Sequence, residues 1–164
     1  MAIDQSRFST VRFDSTEPNS CSPKNPGPNW HGILIQAPKQ VVLQRRGAAG
    51  QHEVHAAIAI CGYYMLAVMD TEKSPPMELV AINRLTQEVY SGAVVKEDPR
   101  PREPAPETEP VDPELLRGVS SGGYFNLNLV DYVRIPALPG VYDVTVEYGG
   151  MQSNVVTIEI VAGG

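Results

Sequence analysis

Cysteine, tryptophan and uninterrupted apolar stretches are scarce in this sequence, and each shortage removes a class of function. The 164 residues include two cysteines and one tryptophan. Cys21 and Cys61 are too few and too far apart for a zinc motif, which needs clustered ligands. Cys61 ends an apolar segment, so we expect a buried free thiol that behaves as a small hydrophobe. A disulfide between the two cysteines is expected only in an oxidising compartment, which nothing else in the sequence requires.

Positive charge is also scarce. Lysine and arginine number 13 against 19 acidic residues, which gives a formal net charge of -6. Nucleic-acid binding depends on clustered basic side chains, and the one basic cluster is Arg45–Arg46, so we expect no nucleic-acid partner. The first eight residues contain no apolar signal core, and no segment approaches the roughly 18 to 20 apolar residues of a membrane span. We therefore expect a soluble chain, cytoplasmic by default, with secretion left open.

Strand patterns are what the sequence has in abundance. Tyr142–Tyr148 alternates apolar and polar residues, the period of a strand with one face buried and the other in water. The C-terminal part predicts three such strands, Tyr124–Val133, Gly140–Tyr148 and Asn154–Val161. Phe125, Leu127 and Leu129 are expected on one face and Asn126 and Asn128 on the other. Together these patterns predict an all-β fold.

Further strands are predicted upstream, separated by turn residues. Pro38 indicates an edge strand that bends or switches sheets. Gly62 is expected to divide one apolar run into two strands, and Asn83–Gln87 to form a hairpin turn. The predicted segments are Gly32–Gln36, Gln40–Gln44, Glu53–Cys61, Tyr63–Asp70, Met77–Asn83 and Gln87–Val95. The total is about seven to nine strands.

Two segments differ from this pattern. Residues 1–30 are rich in Ser, Pro, Asn and Asp, which predicts an extended N-terminal arm before the domain at 31–164. Val11–Phe13 could add a short strand and Trp30 could dock the arm, although a mobile arm is the alternative. Residues 96–117 alternate proline with acidic residues, which predicts an exposed loop. Such a loop is either disordered or faces a partner.

The C-terminal third resembles a known family. Leu138–Tyr142, then Gly149–Gly150 and Ser153–Val156, are similar to the closing hairpin of bacterial immunoglobulin-like domains. The resemblance implies an immunoglobulin-like antiparallel β-sandwich in which Tyr142 stands at the tyrosine corner. It departs from antibody-type members because no cysteine lies near Tyr142. Members of the family serve as adhesive, sugar-binding, inhibitory or spacer modules, so the resemblance implies architecture only.

Catalytic and metal-binding patterns are weak. His52 and His55, with Glu53 between them, are three residues apart and point to opposite faces of a strand, which disfavours a shared metal ion. Ser120 and Ser121 lack the turn context of a catalytic nucleophile. We therefore expect no enzyme and no cofactor, and keep a metal-dependent enzyme using the His52–His55 segment as one alternative.

Tyrosine is the stronger lead, because its ring and hydroxyl suit recognition surfaces. We expect a non-catalytic module that binds a protein or carbohydrate, with the 96–117 loop as its contact segment. The candidate binding residues are Tyr63, Tyr64, Tyr124, Asn126 and Asn128. A small inhibitor or toxin-like effector is the runner-up. Homodimerisation through sheet edges is left open.

Overall fold

Two β-sheets share one apolar core. The computed structural model describes residues 8, 11–46, 53–55, 57–68, 75–94, 115, 118–136 and 138–162, with the backbone alone for 44–46 and 53–55. Within these ranges lie eleven strands and one short helix. They are β1 (Gly32–Gln36), β2 (Gln40–Val42), β3 (Gln44–Arg46), β4 (Glu53–His55), β5 (Ala59–Ala67), β6 (Glu78–Asn83), β7 (Val89–Ala93), β8 (Ser120–Asn128), α1 (Leu129–Tyr132), β9 (Gly140–Tyr148), β10 (Met151–Gln152) and β11 (Val156–Val161). The prediction of an all-β chain is confirmed.

The strand order separates the two sheets clearly. One sheet has the order β1-β5-β8, and the other has the order β2-β11-β9-β6-β7 with β10 paired to β9. A small β3-β4 pair stands apart. Pairing is antiparallel except between β11 and β2, which run parallel. The described residues thus contain more strands than the seven to nine expected, because several are only two or three residues long.

The chain changes sheets at Pro38, as predicted. β1 pairs with β5, whereas β2 pairs with β11 in the other sheet. Proline cannot donate a ladder hydrogen bond and favours such a break. The amide of Glu159 then donates to the carbonyl of Lys39, which extends the new pairing.

The expected break at Gly62 is wrong. β5 runs without interruption from Ala59 to Ala67, and Gly62 pairs with Phe125 of β8. A β-carbon added at Gly62 would lie 1.9 Å from Cζ of the Phe125 ring. The glycine therefore makes room for an aromatic ring from the neighbouring strand rather than ending its own strand.

The predicted strand Tyr124–Val133 is half right. β8 ends at Asn128, and α1 follows with Leu129 fully buried. The amide of Leu129 bonds the carbonyl of Ile58, while the amide of Val133 bonds the carbonyl of Leu129 and closes a helical turn. The apolar residues that continue the strand pattern thus bury themselves by turning instead of extending.

The core between the sheets is built by the alternating apolar residues. Ile60 and Leu66 of β5, Leu79 of β6 and Val144 of β9 belong to one buried cluster. Ile158 and Ile160 of β11 complete it from the same sheet as β9. Burial of branched aliphatic side chains at roughly 25 cal/mol per Å² is the main stabilising contribution of this layer.

The N-terminal arm covers the outer face of the three-stranded sheet. Phe8, Cys21, Ala59 and Cys61 form a second buried cluster, against which Val11 and Phe13 pack. Val11–Phe13 does not add the strand that the sequence allowed, and the described arm makes only an isolated bridge between Ser15 and Asn126. Docking through Trp30 is confirmed, because its ring stacks on Tyr63 at 5.9 Å between centroids.

The expectation of a free thiol at Cys61 is also wrong. Cys21 and Cys61 form a disulfide with their Cα atoms 5.9 Å apart, and both residues are fully buried. Cys61 points away from the inter-sheet core and toward the arm, a direction that one strand's pattern does not reveal. The disulfide therefore ties the arm to β5. The predicted loop 96–117 lies outside the described residues, apart from Leu115.

Candidate functional site

Several of the tyrosine and asparagine side chains that the sequence predicts as ligand-binding lie where the N-terminal arm packs on the sheet. Tyr63 is buried between Trp30 and Tyr124, with its ring 5.0 Å from that of Tyr124. Tyr124 is partly exposed at the edge of this aromatic row. The end of the arm therefore packs on this row of aromatic rings.

Asn126 lies beneath the N-terminal arm. Its side chain is fully buried and donates to the backbone carbonyls of Ser15 and Glu17, at 3.2 and 2.8 Å. Its Oδ1 atom accepts a hydrogen bond of 2.8 Å from Asn19. These bonds pair polar groups of the arm that burial would otherwise leave unsatisfied.

Asn128 and Tyr64 also have structural partners. The Asn128 Oδ1 atom accepts a hydrogen bond of 3.0 Å from the amide of Ile58. Tyr64 packs on the inter-sheet core, with its ring 5.6 Å from that of Tyr148 in an edge-on arrangement. Burial raises the pKa of Tyr64, and the neighbouring Tyr148 adds to the effect. Ligand binding by Tyr63, Tyr64, Tyr124, Asn126 and Asn128 stays a prediction.

The proposed histidine ligands fall largely outside the described part of the chain. His52 is not described, and of Glu53 and His55 only the backbone pairing of β4 with β3 is. Among the described residues, no group of three or more His, Cys, Asp or Glu side chains is arranged to hold a metal ion. The metal-dependent alternative therefore rests on the sequence alone.

A serine and a histidine do meet on the surface. Nε2 of His31 lies 2.7 Å from Oγ of Ser120, and its Nδ1 lies 3.3 Å from the backbone carbonyl of Asn29. Both side chains are exposed, and a carbonyl rather than a carboxylate faces the second ring nitrogen. The contact joins the end of the arm to the start of β8, and it lacks the buried orienting acid of a catalytic triad.

An apolar cleft of about 660 Å³ lies at one end of the six-stranded sheet. It forms where the β6–β7 turn meets the segment leading from α1 into β9. Leu85 and Thr86 line it from the turn, and Leu138 and Pro139 from the segment before β9. We call this site the leucine cleft, after Leu85 and Leu138.

The turn holds Leu85 in the open by its own hydrogen bonds. Oδ1 of Asn83 accepts from the amides of Leu85 and Thr86 at 2.9 and 3.1 Å, the bonding of an Asx turn. The side chain of Leu85 is 91% exposed as a result. On the opposite side Leu138, whose amide bonds the carbonyl of Pro136, is 62% exposed.

Two tyrosines connect the leucine cleft to the core. Tyr142 is buried, and its ring meets that of Tyr90 edge-on at 6.2 Å. The Tyr90 hydroxyl donates a hydrogen bond to the carboxylate of Glu88. This bond is the main reason that the pKa of Tyr90 is raised to about 12.

A second charged group flanks the cleft. Nε of Arg84 lies 3.1 Å from a carboxylate oxygen of Asp143, whose other oxygen accepts from Thr157 at 2.7 Å. Arg84 is well exposed, so this ion pair stabilises the fold little. It neutralises the guanidinium and leaves the Glu88 carboxylate as the acidic group beside the apolar surface.

The lining of the leucine cleft is mostly apolar. The residues that line it include no cysteine, histidine or lysine, and the hydroxyl of Tyr90 is paired with the carboxylate of Glu88. Its exposed leucines, its two prolines and the partly buried Tyr90 offer apolar contact area with one carboxylate at the side. Sequence reasoning missed this site. The available signal was two leucines placed in turns, where polar residues are usual.

Comparison with known proteins adds no relative. No protein-family model, curated protein or solved structure matches this chain. In the ranges that the structure describes, no helix is long and apolar enough to cross a membrane.

Proposed function

We propose that the chain is a non-catalytic binding module that recognises a protein partner through the leucine cleft. The ligand is an extended apolar peptide segment with a lysine or arginine beside it. The observation that carries this proposal is the exposure of Leu85 and Leu138, which line the leucine cleft together with Tyr90. Contiguous exposed apolar surface is costly in water and typically marks an interaction site.

The charge around the cleft supports a basic flank on the ligand. Glu88 stands beside Tyr90, whereas the nearby Arg84 is neutralised by Asp143. The whole chain carries a net charge of -6, which favours approach of a cationic partner over an anionic one. A basic side chain near Tyr90 also gains contact with an aromatic ring.

The strand order supports an immunoglobulin-like assignment of the fold. β1, β5 and β8 follow the order of strands A, B and E, and β11, β9, β6 and β7 follow the order G, F, C and C′. The switch of sheets at Pro38 corresponds to a divided first strand. The chain differs from antibody domains because its disulfide joins the arm to β5 and does not cross the core.

The disulfide supports a compartment other than the cytoplasm. Buried disulfides persist in oxidising surroundings such as the periplasm or the extracellular space. We therefore propose that the chain functions in such a compartment. Alkylation of the unfolded protein, taken directly from its native cells without reductant, tests this. No modified cysteine is expected, and two modified cysteines would contradict the proposal.

Selection from a displayed peptide library tests the binding function. The intact protein should enrich peptides in which apolar residues or proline adjoin Lys or Arg. A variant with Leu85→Ser and Leu138→Ser should bind the enriched peptides at least tenfold more weakly, since two apolar contacts at about 1 kcal/mol each are lost. Val155→Ser is the matched control, because Val155 is 60% exposed and does not line the cleft.

Parallel measurements distinguish peptide binding at the leucine cleft from carbohydrate binding and from binding by the 96–117 loop. A glycan array should give no ligand, and a bound glycan would favour the carbohydrate alternative. A variant lacking residues 97–117 should still bind the enriched peptides. Loss of that binding would indicate that the site lies on the deleted loop. If no peptide is enriched, or if the double serine variant binds as well as the intact protein, the leucine cleft is not the site.

A further inference from the structure

The two main sheets end at β1 and β8 and at β2 and β7, and in the described part of the chain three of these four terminal strands carry a device that blocks pairing with another strand. At β1, the Asn154 side chain accepts from the Ile35 amide at 2.8 Å and donates to its carbonyl at 3.1 Å. At β8, the arm pairs with Asn126 through Asp14 and Ser15. Exposed edges that lack such devices are templates for another chain.

The edge at β2 is blocked differently. β2 is three residues long and follows Pro38. After β2, the amide of Leu43 still bonds Val161, and the chain then leaves for β3. A short strand bounded by proline presents too few free ladder groups to pair stably.

β7 is the remaining edge. The amide of Asn83 bonds the carbonyl of Glu88, and the amide of Val94 bonds the carbonyl of Met77. Because hydrogen-bonded pairs alternate in an antiparallel ladder, Tyr90 and Gly92 also bond β6. The amides and carbonyls of Val89, Ser91 and Ala93 therefore point away from β6.

The outward residues of β7 lack the usual protection of an edge. Val89, Ser91 and Ala93 are exposed, and β7 contains neither a charged residue nor a proline. In a chain with 20% charged residues, an uncharged exposed edge presents no repulsion to a second strand. No strand of the described residues pairs with this side of β7.

We propose that β7 pairs antiparallel with β7 of a second copy of this chain, about a two-fold axis at Ser91. In that register Ser91 lies opposite Ser91, Val89 opposite Ala93, and Tyr90 opposite Gly92 of the second copy. Each larger residue meets a smaller one, and no like charges meet, so the strand is complementary to itself. The outward ladder groups of Val89, Ser91 and Ala93 then find partners.

The dimer joins the two six-stranded sheets into one continuous sheet. Because Glu88 precedes β7 and Tyr90 lies within it, and both residues line the leucine cleft, the dimer brings the two clefts onto one assembly. The pairing itself needs only the β7 edge. It therefore stands or falls independently of what the leucine cleft binds.

Sedimentation equilibrium of the full chain over a wide concentration range tests the proposal. The intact protein should reach twice its mass of 17.8 kDa. Ser91→Lys and Ser91→Glu variants should each stay monomeric, because like charges then face each other across the axis. An equimolar mixture of the two variants should restore the dimer mass. Near-UV circular dichroism should show that each variant keeps the fold.

A matched variant shows whether β7 is the edge that pairs. Val42→Lys places the same charge on β2, at the other end of the sheet, and should leave the dimer intact. The amides of Val89, Ser91 and Ala93 should exchange more slowly with solvent as concentration rises. A protein that stays monomeric, a dimer that survives Ser91→Lys, or a dimer lost equally in Val42→Lys would overturn the proposal.

Discussion

At the scale of single residues, the side chain of Asn126 and the lack of one at Gly62 determine what packs on the two faces of the three-stranded sheet. Asn126 points outward, where its side chain donates to the arm the hydrogen bonds that water would otherwise supply. Gly62 points inward, where its missing side chain admits the ring of Phe125. Neither role follows from the residue's own strand, because each depends on a segment distant in sequence.

Asn126→Ala should destabilise the fold by roughly 2 to 3 kcal/mol, since buried acceptors on Ser15 and Glu17 lose their donor. Urea unfolding monitored by circular dichroism gives the change. Asn29→Ala is the control, because Asn29 is exposed, and it should change stability by about 0.5 kcal/mol or less. Equal stability of Asn126→Ala and the parent would show that the arm does not depend on this side chain.

Gly62→Ala should cost about 1 to 3 kcal/mol, because the added methyl group overlaps the ring of Phe125. The same substitution in a Phe125→Leu background should cost clearly less, since the smaller side chain leaves room. A double-mutant cycle by denaturant unfolding measures this coupling. Equal costs in the two backgrounds would mean that the ring does not occupy the space above Gly62.

At the scale of elements, the arm is held to the sheet by a covalent bond, an asparagine and an aromatic stack. The disulfide closes a sequence separation of 40 residues. Trp30, the single tryptophan, stacks on Tyr63 and so reports on docking of the arm. Tyr132 of α1 adds a hydrogen bond of 2.6 Å to Asp14.

Replacement of both cysteines by serine should lower stability by about 4 kcal/mol, the loop-closure entropy for a separation of this size. The variant should also make Trp30 easier to quench with acrylamide, because the arm is then held by weaker contacts. Far-UV circular dichroism should still show β-structure at low temperature. Unchanged quenching would indicate that the arm docks without the disulfide.

Alkaline pH should weaken the contact between Tyr132 and the arm. Burial, assisted by Asp14, raises the pKa of Tyr132 to about 12 from its ordinary value of 10.0. This contribution to stability is complete below pH 10 and is lost as pH rises through 12, because the unfolded chain releases the proton first. The melting temperature should therefore fall less steeply over this range in Tyr132→Phe. Identical slopes would contradict the account.

The local sequence pattern predicts the bounds of some elements, whereas contacts with residues distant in sequence determine the bounds of others. β1 and β9 begin and end as predicted, because alternation and flanking turn residues agree there. β5 and β8 do not, because Phe125 fills the space at Gly62 and because Leu129 buries itself by turning into α1. The leucine cleft was not predicted, since Leu85 and Leu138 lie far apart in the sequence and line one cleft only in the folded chain, in which β6 pairs with β9.

At the scale of the whole molecule, the arm, the core and the end of the six-stranded sheet have different roles. The arm seals one face of the three-stranded sheet, and the core joins the two sheets. The end of the six-stranded sheet keeps apolar side chains in the open beside Glu88. A stable framework that presents an exposed apolar cleft is the physical basis of the proposed binding function.

The most direct test is an NMR titration of the isotope-labelled protein with a peptide enriched by the intact chain. The leucine-cleft account predicts that backbone shifts concentrate at Leu85, Glu88, Tyr90 and Leu138, and that they disappear in the double serine variant. Shifts confined to Trp30 in the arm and Tyr124 on the three-stranded sheet would contradict it.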